Sequence, residues 1–276
     1  FPNLNGGIID DLIVYKLEEN KYLLVINASN IQKDWEHLNL LNKKFNANLN
    51  NVSDNISLLS IQGPNSTRLL NKVSDFNFGT LKNYMNCVTN IGSVKDVIVA
   101  STGYTGAGGY EIYCDNKNVK QIWDALFIEG KEFNILPIGL AARDSLRIEM
   151  GYCLYGNEID ENTSPIQAGL SWITKTETNF YGSNRIKKDI QNGCEYMIMG
   201  IKSEERIIPR TGNIILNSSK NKVGVVTSGT FSPTLKKPIG IGFILKENLN
   251  YHEEIFIDNK RKTSKAKISS LPFIKP

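Results

Sequence analysis

Histidine is nearly missing from this 276-residue chain, which has only His37 and His252. That scarcity argues against a histidine-held metal site and against a Ser-His-Asp triad, since both need imidazole at the reacting centre. Cysteine is sparse too. Cys87, Cys114, Cys153 and Cys194 are widely spaced with no CxxC pair, and they read as buried or half-buried free thiols of a reducing compartment. No apolar run approaches the roughly 18–20 residues that span a bilayer. A surplus of one charge is also lacking: 32 basic residues stand against 28 acidic ones, for a net charge of +4. With no basic stripe interleaved with aromatics, nothing calls for nucleic acid or a membrane surface, while an acidic protein or an anionic small molecule suits the balance. No signal or transit segment is visible. The chain opens at Phe1 without an initiator Met and reads as a fragment or a processed chain.

What is present is a core-forming composition, 41% hydrophobic and 22% charged, at a length that suggests two or more domains. Runs at Leu12–Leu17 and Tyr22–Ala28 flank the polar turn Glu18-Glu19-Asn20 and predict a hairpin. Ile31, Trp35, Leu38 and Phe45 recur at helical spacing after Ser29 and Asn30, either of which can cap a helix. "ISLLSIQGPNSTRLLNKV" predicts a strand ending at Gly63 and a helix opened by Pro64. "VKDVIVAS" and "GGYEIYCD" predict a strand pair around the turn "TGYTGAGG", and "NVKQIWDALF" a helix. A further helix is expected from about Gly139 to Met150, followed by a long acidic loop. From Tyr196 onward, short β-like runs between turn clusters predict a small all-β barrel or sandwich. A domain boundary is therefore expected near residue 190, dividing 1–190 from 191–276.

Three segments carry chemistry-bearing side chains. In "GGIIDDLIVY" the paired acids Asp10 and Asp11 precede a strand. Turn closure accounts for one acid, because Asp bonds its own backbone neighbours. In strand alternation Asp11 would share a face with Ile13 and Tyr15, and an acid in such an apolar, aromatic space suits proton transfer. In "TGYTGAGGYEIYC" the glycine-rich turn feeds a strand rather than a helix, which disfavours a phosphate loop. Glu111 lies mid-strand, either toward solvent or toward a ligand that offers it a pair of N–H donors. In "AARDSLRIEMGYCLYG", Arg143 and Arg147 sit one helical turn apart with Asp144 and Glu149 nearby. They form either ion pairs on a solvated face or, for Arg143, a reach into a cleft. Glu158, Asp160 and Glu161 lack histidine support, so no metal is expected there.

At their order and spacing, these segments resemble the aminomethyltransferase, or T-protein, family of the glycine cleavage system. The matching stretches are "GGIIDDLIVYKL", "LLVINASN", "LSIQGP", "TGYTGAGGYEIY", "PIGLAARDSLRIEMGYCLYGNEIDENTSPIQAGLSW" and "GVVTSGTFSPTLKKPIGIGFI". The resemblance implies an α+β fold, a ring of lobes with folate in a central channel and a C-terminal β-barrel. It implies transfer of the aminomethyl carbon from the lipoyl arm of H-protein to tetrahydrofolate, with release of ammonia. Tetrahydrofolate is then an acceptor substrate, and no metal is involved. Carried over residue by residue, the resemblance implies Asp11 as the catalytic acid, Glu111 as the pterin-gripping carboxylate and Arg143 as a folate contact. Asn27, Tyr104 and Tyr152 fall on other pocket-lining positions.

The chain departs from the family pattern in three ways. The family has a further segment ahead of the part that begins here. Ser101 stands where an arginine is common before "TGYTG", and Ala107-Gly108 stand where acids follow it. Lys275 replaces an arginine near the C-terminus, and Arg and Lys are not equivalent at a bidentate carboxylate contact. The rival expectations are a folate-binding paralogue of the demethylase or iron–sulfur-maintenance type and a non-catalytic module binding folate or H-protein. The expected location is the bacterial cytoplasm, or the mitochondrial matrix for a eukaryotic chain.

Overall fold

A computed structural model describes residues 1–249 and 254–275, so His252 lies outside the described residues. The chain divides into two compact units, one formed by Leu12–Gly139 and the other by Phe1–Asp11 together with the chain from Leu140 onward. No described helix is long and apolar enough to cross a membrane.

The continuous unit opens with a hairpin of β1 (Ile13–Glu18) and β2 (Lys21–Val25), closed by Glu18 opposite Lys21. Helix α1 (Ile31–Asn42) follows, ending before the expected Phe45, which is left exposed. Then come β3 (Ile56–Gln62), α2 (Ser66–Val73), β4 (Asn86–Ile91), β5 (Val94–Ala100), β6 (Gly109–Asp115) and α3 (Val119–Glu129). The strands form an antiparallel sheet in the order β3-β6-β5-β4. Pro64 does not open α2. Ser66 N–H donates to the Gly63 carbonyl at 3.0 Å, making Pro64 a turn residue and delaying the helix. Ser66, Leu69, Leu70 and Val73 then recur at i, i+3, i+4 and i+7 and face the core, as do Ile122 and Leu126 of α3. Phe78, Ile91, Val99, Ile112 and Ile122 complete that core, each side chain contributing about 1.5–3 kcal/mol by leaving water.

The second unit contains α4 (Leu140–Glu149), α5 (Ser183–Asn192) and strands β7 (Tyr196–Ser203), β8 (Ile214–Leu216), β9 (Lys222–Ser232), β10 (Lys237–Leu245), β11 (Glu254–Asp258) and β12 (Thr263–Ser269). These strands close into a barrel in the order β10-β7-β12-β11-β8-β9. Ile201, Ile215, Val226, Ile244, Ile257 and Ala266 fill it, while Ile148 of α4 packs in a second cluster with Ile239, Ile241 and Phe273. The ladder between β9 and β10 slips at one point. Ser228 pairs with Ile241 and Val226 with Gly242, which leaves Thr227 as a bulged residue. The expected boundary near residue 190 falls within α5.

The N-terminal eleven residues lie along the loop after α4. Ile8 N–H donates to the Asp160 carbonyl at 2.9 Å, Asn3 Nδ2 donates to Glu161 O at 2.8 Å, and Ile8 packs with Ile159 and Ala168. A Cβ on Gly7 would lie 1.8 Å from the Glu161 carbonyl oxygen, so only glycine allows this approach. That is the physical reason for glycine at position 7.

Candidate active site

The six residues singled out by the sequence are distributed over both units. Asn27, Tyr104 and Glu111 belong to the continuous unit, and Asp11, Arg143 and Tyr152 to the other.

Of the paired acids, Asp10 is fully buried and Asp11 is exposed. Strand β1 begins only at Ile13, so the alternation expected to set Asp11 beside Ile13 and Tyr15 starts after both acids. The carboxylate of Asp11 is nevertheless near the loop that carries Tyr152. Cys153, the next residue, has its thiol pushed up to about 12, first by burial, then by the charges of Glu158 and Asp11.

Glu111 is the best-defined candidate. Ala100 of β5 pairs with Glu111 of β6, and Thr102 follows just past the end of β5. Tyr113, two residues further along β6, shares the face of Glu111. The Glu111 carboxylate is half-buried, and its Oε2 accepts from Thr102 Oγ1 at 2.6 Å and from Tyr113 Oη at 3.0 Å. Thr102 Oγ1 lies 2.8 Å from Tyr15 Oη, which comes from β1. Tyr15 and Tyr113 meet edge to face with centroids 5.8 Å apart. Among the described residues nothing donates to Oε1 of Glu111. Burial pushes the hydroxyls of Tyr15 and Tyr113 above the usual tyrosine range, with the Glu111 charge adding to it, so both remain donors at neutral pH.

The turn that holds Tyr104 is fixed by Gln62, a residue the sequence analysis did not single out. Gln62 Nε2 donates to the Thr102 carbonyl at 3.2 Å and its Oε1 accepts from Thr105 Oγ1 at 3.0 Å. A Cβ on Gly103 would lie 2.0 Å from that Oε1, so the turn's glycine makes room for the Gln62 side chain. Asn27, the residue just ahead of a short helical turn at Ala28–Asn30, is half-buried.

The arginines of α4 separate in role. Arg143 is exposed, whereas Arg147 is 2% exposed and its guanidinium is fully engaged, so the solvated ion-pair face expected for both does not describe Arg147. Its Nε donates to Asp144 Oδ1 at 2.8 Å, Nη1 to Glu158 Oε2 at 2.9 Å and to the Tyr152 carbonyl at 3.1 Å, and Nη2 to Ser228 Oγ at 2.8 Å. Glu158, also buried, accepts from Leu154 N at 2.9 Å and from the bulged Thr227 Oγ1 at 2.5 Å. Asp160 Oδ1 accepts from Asn162 N, Thr163 N and Thr163 Oγ1 within 2.9 Å. Glu158 thus serves an ion pair and Asp160 its own turn.

Comparison with known proteins places the whole chain. The model of the GCVT N-terminal domain family matches residues 1–178, and that of the glycine cleavage T-protein C-terminal barrel domain matches residues 197–275. The aminomethyltransferase of Flavobacterium psychrophilum is 43% identical over 274 residues, covering 99% of this chain and 76% of that relative. The aminomethyltransferase of Bacteroides fragilis is 46% identical over 277 residues, with 100% and 76% covered. The crystal structure of glycine cleavage system aminomethyltransferase T from Bartonella henselae superposes with a TM-score of 0.88 at 30% identity, covering 99% of this chain and 74% of that one. On this evidence of sequence and fold, the chain belongs to the aminomethyltransferase family, the T-proteins of the glycine cleavage system.

Proposed function

We propose that the chain transfers the carbon of an aminomethyl group, carried as a thioether-like adduct on the lipoyl arm of H-protein, to tetrahydrofolate. The products are 5,10-methylenetetrahydrofolate, ammonia and the dihydrolipoyl H-protein. The carbon loses its bonds to nitrogen and sulfur and gains bonds to N5 and N10 of the folate. The two protons given up by those amines leave with ammonia and with the freed thiol.

The observation that supports this reading most is the family relationship, which extends through 99–100% of the chain at 43–46% identity. The residue roles proposed are those that the family resemblance implies, and the chemistry of each side chain suits them. Asp11, exposed at the end of its segment, takes the folate amine proton and orients the nucleophile. Glu111 accepts pterin N–H donors on its open oxygen, and the exposed Arg143 guanidinium pairs with acceptors of the folate. Asn27, Tyr104 and Tyr152 are proposed as further folate contacts. We further propose that the folate-binding region extends through residues 1–190 and the barrel domain through 191–276, and that the protein works in the bacterial cytoplasm, as the bacterial relatives suggest.

Ammonia release from aminomethyl-lipoyl H-protein, measured with and without tetrahydrofolate, tests the reading. Folate-dependent release is expected. Folate binding without release would make the chain a paralogue or a binding module instead. Asp11→Ala should lower kcat by roughly 10²–10⁴-fold, the range of a lost proton-transfer group, with folate affinity little altered. Glu111→Ala should chiefly weaken folate binding. The reverse pattern would exchange their roles.

A further inference from the structure

An ionised carboxylate can only accept hydrogen bonds, whereas a threonine hydroxyl has a single proton to give. Thr102 spends its proton on Glu111 Oε2, 2.6 Å away, so at its 2.8 Å contact with Tyr15 it is the acceptor and Tyr15 the donor. Tyr113 adds a second donor to the same oxygen at 3.0 Å. Both lone pairs of Oε2 are therefore used within the protein, and the side chain is pinned in one orientation by three groups that are each less than 9% exposed. The remaining oxygen, Oε1, receives no donor from any described residue. Ligand donors divided between the two oxygens would not suit this arrangement, because a third donor would crowd onto Oε2.

We infer that Thr102 and Tyr113 are positioning residues that turn Glu111 into a one-oxygen acceptor, so that the folate's N–H donors converge on Oε1 alone, with Tyr15 setting the direction of the Thr102 hydroxyl. This rests on the reading of Glu111 as the pterin-binding carboxylate. The arrangement selects for a ligand edge with donors only. A ligand presenting an acceptor to Oε1 meets an unscreened carboxylate oxygen, which repels it. The same logic applies to Glu111→Gln. Its amide oxygen would turn toward the Thr102 and Tyr113 donors, presenting the NH₂ group to a ligand that also donates.

The test is tetrahydrofolate titration of the full chain under anaerobic conditions, with turnover at saturating folate and thermal melts to confirm folding. Thr102→Val and Tyr113→Phe should each raise Kd and KM for tetrahydrofolate by about tenfold while kcat stays within about twofold, and Thr102→Ser should restore affinity to within about twofold. In a Glu111→Ala background, Thr102→Val should cost nothing more. Equal losses in both backgrounds would mean that Thr102 acts through the fold and would overturn the positioning role. Loss of affinity in Glu111→Ala with none in Thr102→Val or Tyr113→Phe would also overturn it, leaving the folate role of Glu111 intact. Unchanged affinity in Glu111→Ala would instead remove Glu111 from the folate site, and the inference with it.

Discussion

Cys153 and Cys87 have thiols pushed by burial to about 12 and about 11, and burial likewise raises the Tyr15 and Tyr113 hydroxyls above the tyrosine range. For each group the folded pKa exceeds the unfolded one, so the unfolded chain releases the proton first as pH rises. The associated stability is complete below about pH 9 and is lost progressively as pH climbs through the folded values. The melting temperature should therefore fall between pH 9 and 11, and Cys153→Ala should make that fall shallower. A melting temperature that rises over this range would contradict the assignment. Chemical reactivity tests the same point. With its pKa near 12, roughly one Cys153 thiol in 10⁴ is ionised at pH 8, so iodoacetamide should modify it far more slowly than a free thiol. Composition alone had made these residues thiols rather than disulfides, and none of the four cysteines forms a disulfide among the described residues. Their individual shifts were not legible, because Cys153 owes part of its shift to Glu158, which the fold brings near it. Glu111 shows a similar division. Its place in mid-strand could be read from "GGYEIYC", but the Tyr15 hydroxyl from β1 and the Thr102 hydroxyl from just past β5 are brought to it by the fold and could not.

Arg147 and Glu158 key three elements together: α4, the loop that follows it, and β9 of the barrel. In a regular strand Thr227 and Ser228 would point to opposite faces, but the bulge at Thr227 lets both hydroxyls join the network around this ion pair. Removing one partner leaves a buried charge unpaired. Arg147→Met or Glu158→Leu alone should cost about 3–5 kcal/mol, measured as a lower urea midpoint, while the double variant should recover much of that loss. Additive losses in the double variant would show that the two side chains act independently. Helical periodicity revealed α4 within a residue of its ends, yet it assigned Arg147 to a solvated face. An arginine's neighbours at i+4 are visible in sequence, while Ser228, 81 residues away, is not. Strand β4 went unpredicted for a related reason. Asn86, Thr89 and Asn90 interrupt its apolar alternation, and its place in the sheet depends on pairing with β5.

Each compact unit has its own buried core, one around Phe78, Ile112 and Ile122, the other around Ile201, Ile215 and Ile257. The composition change after residue 190 was legible as a switch to short β-runs, whereas compact packing divides the chain after Asp11 and before Leu140. The difference comes from tertiary contacts that leave no local period: Gly7 against the Glu161 carbonyl, Ile8 against Ile159, and Ile148 of α4 against Ile239 and Ile241 of the barrel strand β10. These contacts attach both Phe1–Asp11 and α4 to the barrel-containing unit. Opening free energies should follow packing rather than the composition change. In native-state hydrogen exchange with increasing denaturant, slow amides of β3, β5 and β6 should merge into one isotherm. Those of the barrel should merge into a second, joined by the α4 amides around Ile148. If the α4 amides exchanged with β3, β5 and β6 instead, the buried Arg147 network would not be holding that helix to the barrel. Glu158→Leu should shift the α4 and barrel isotherm to lower denaturant while leaving that of β3, β5 and β6 in place.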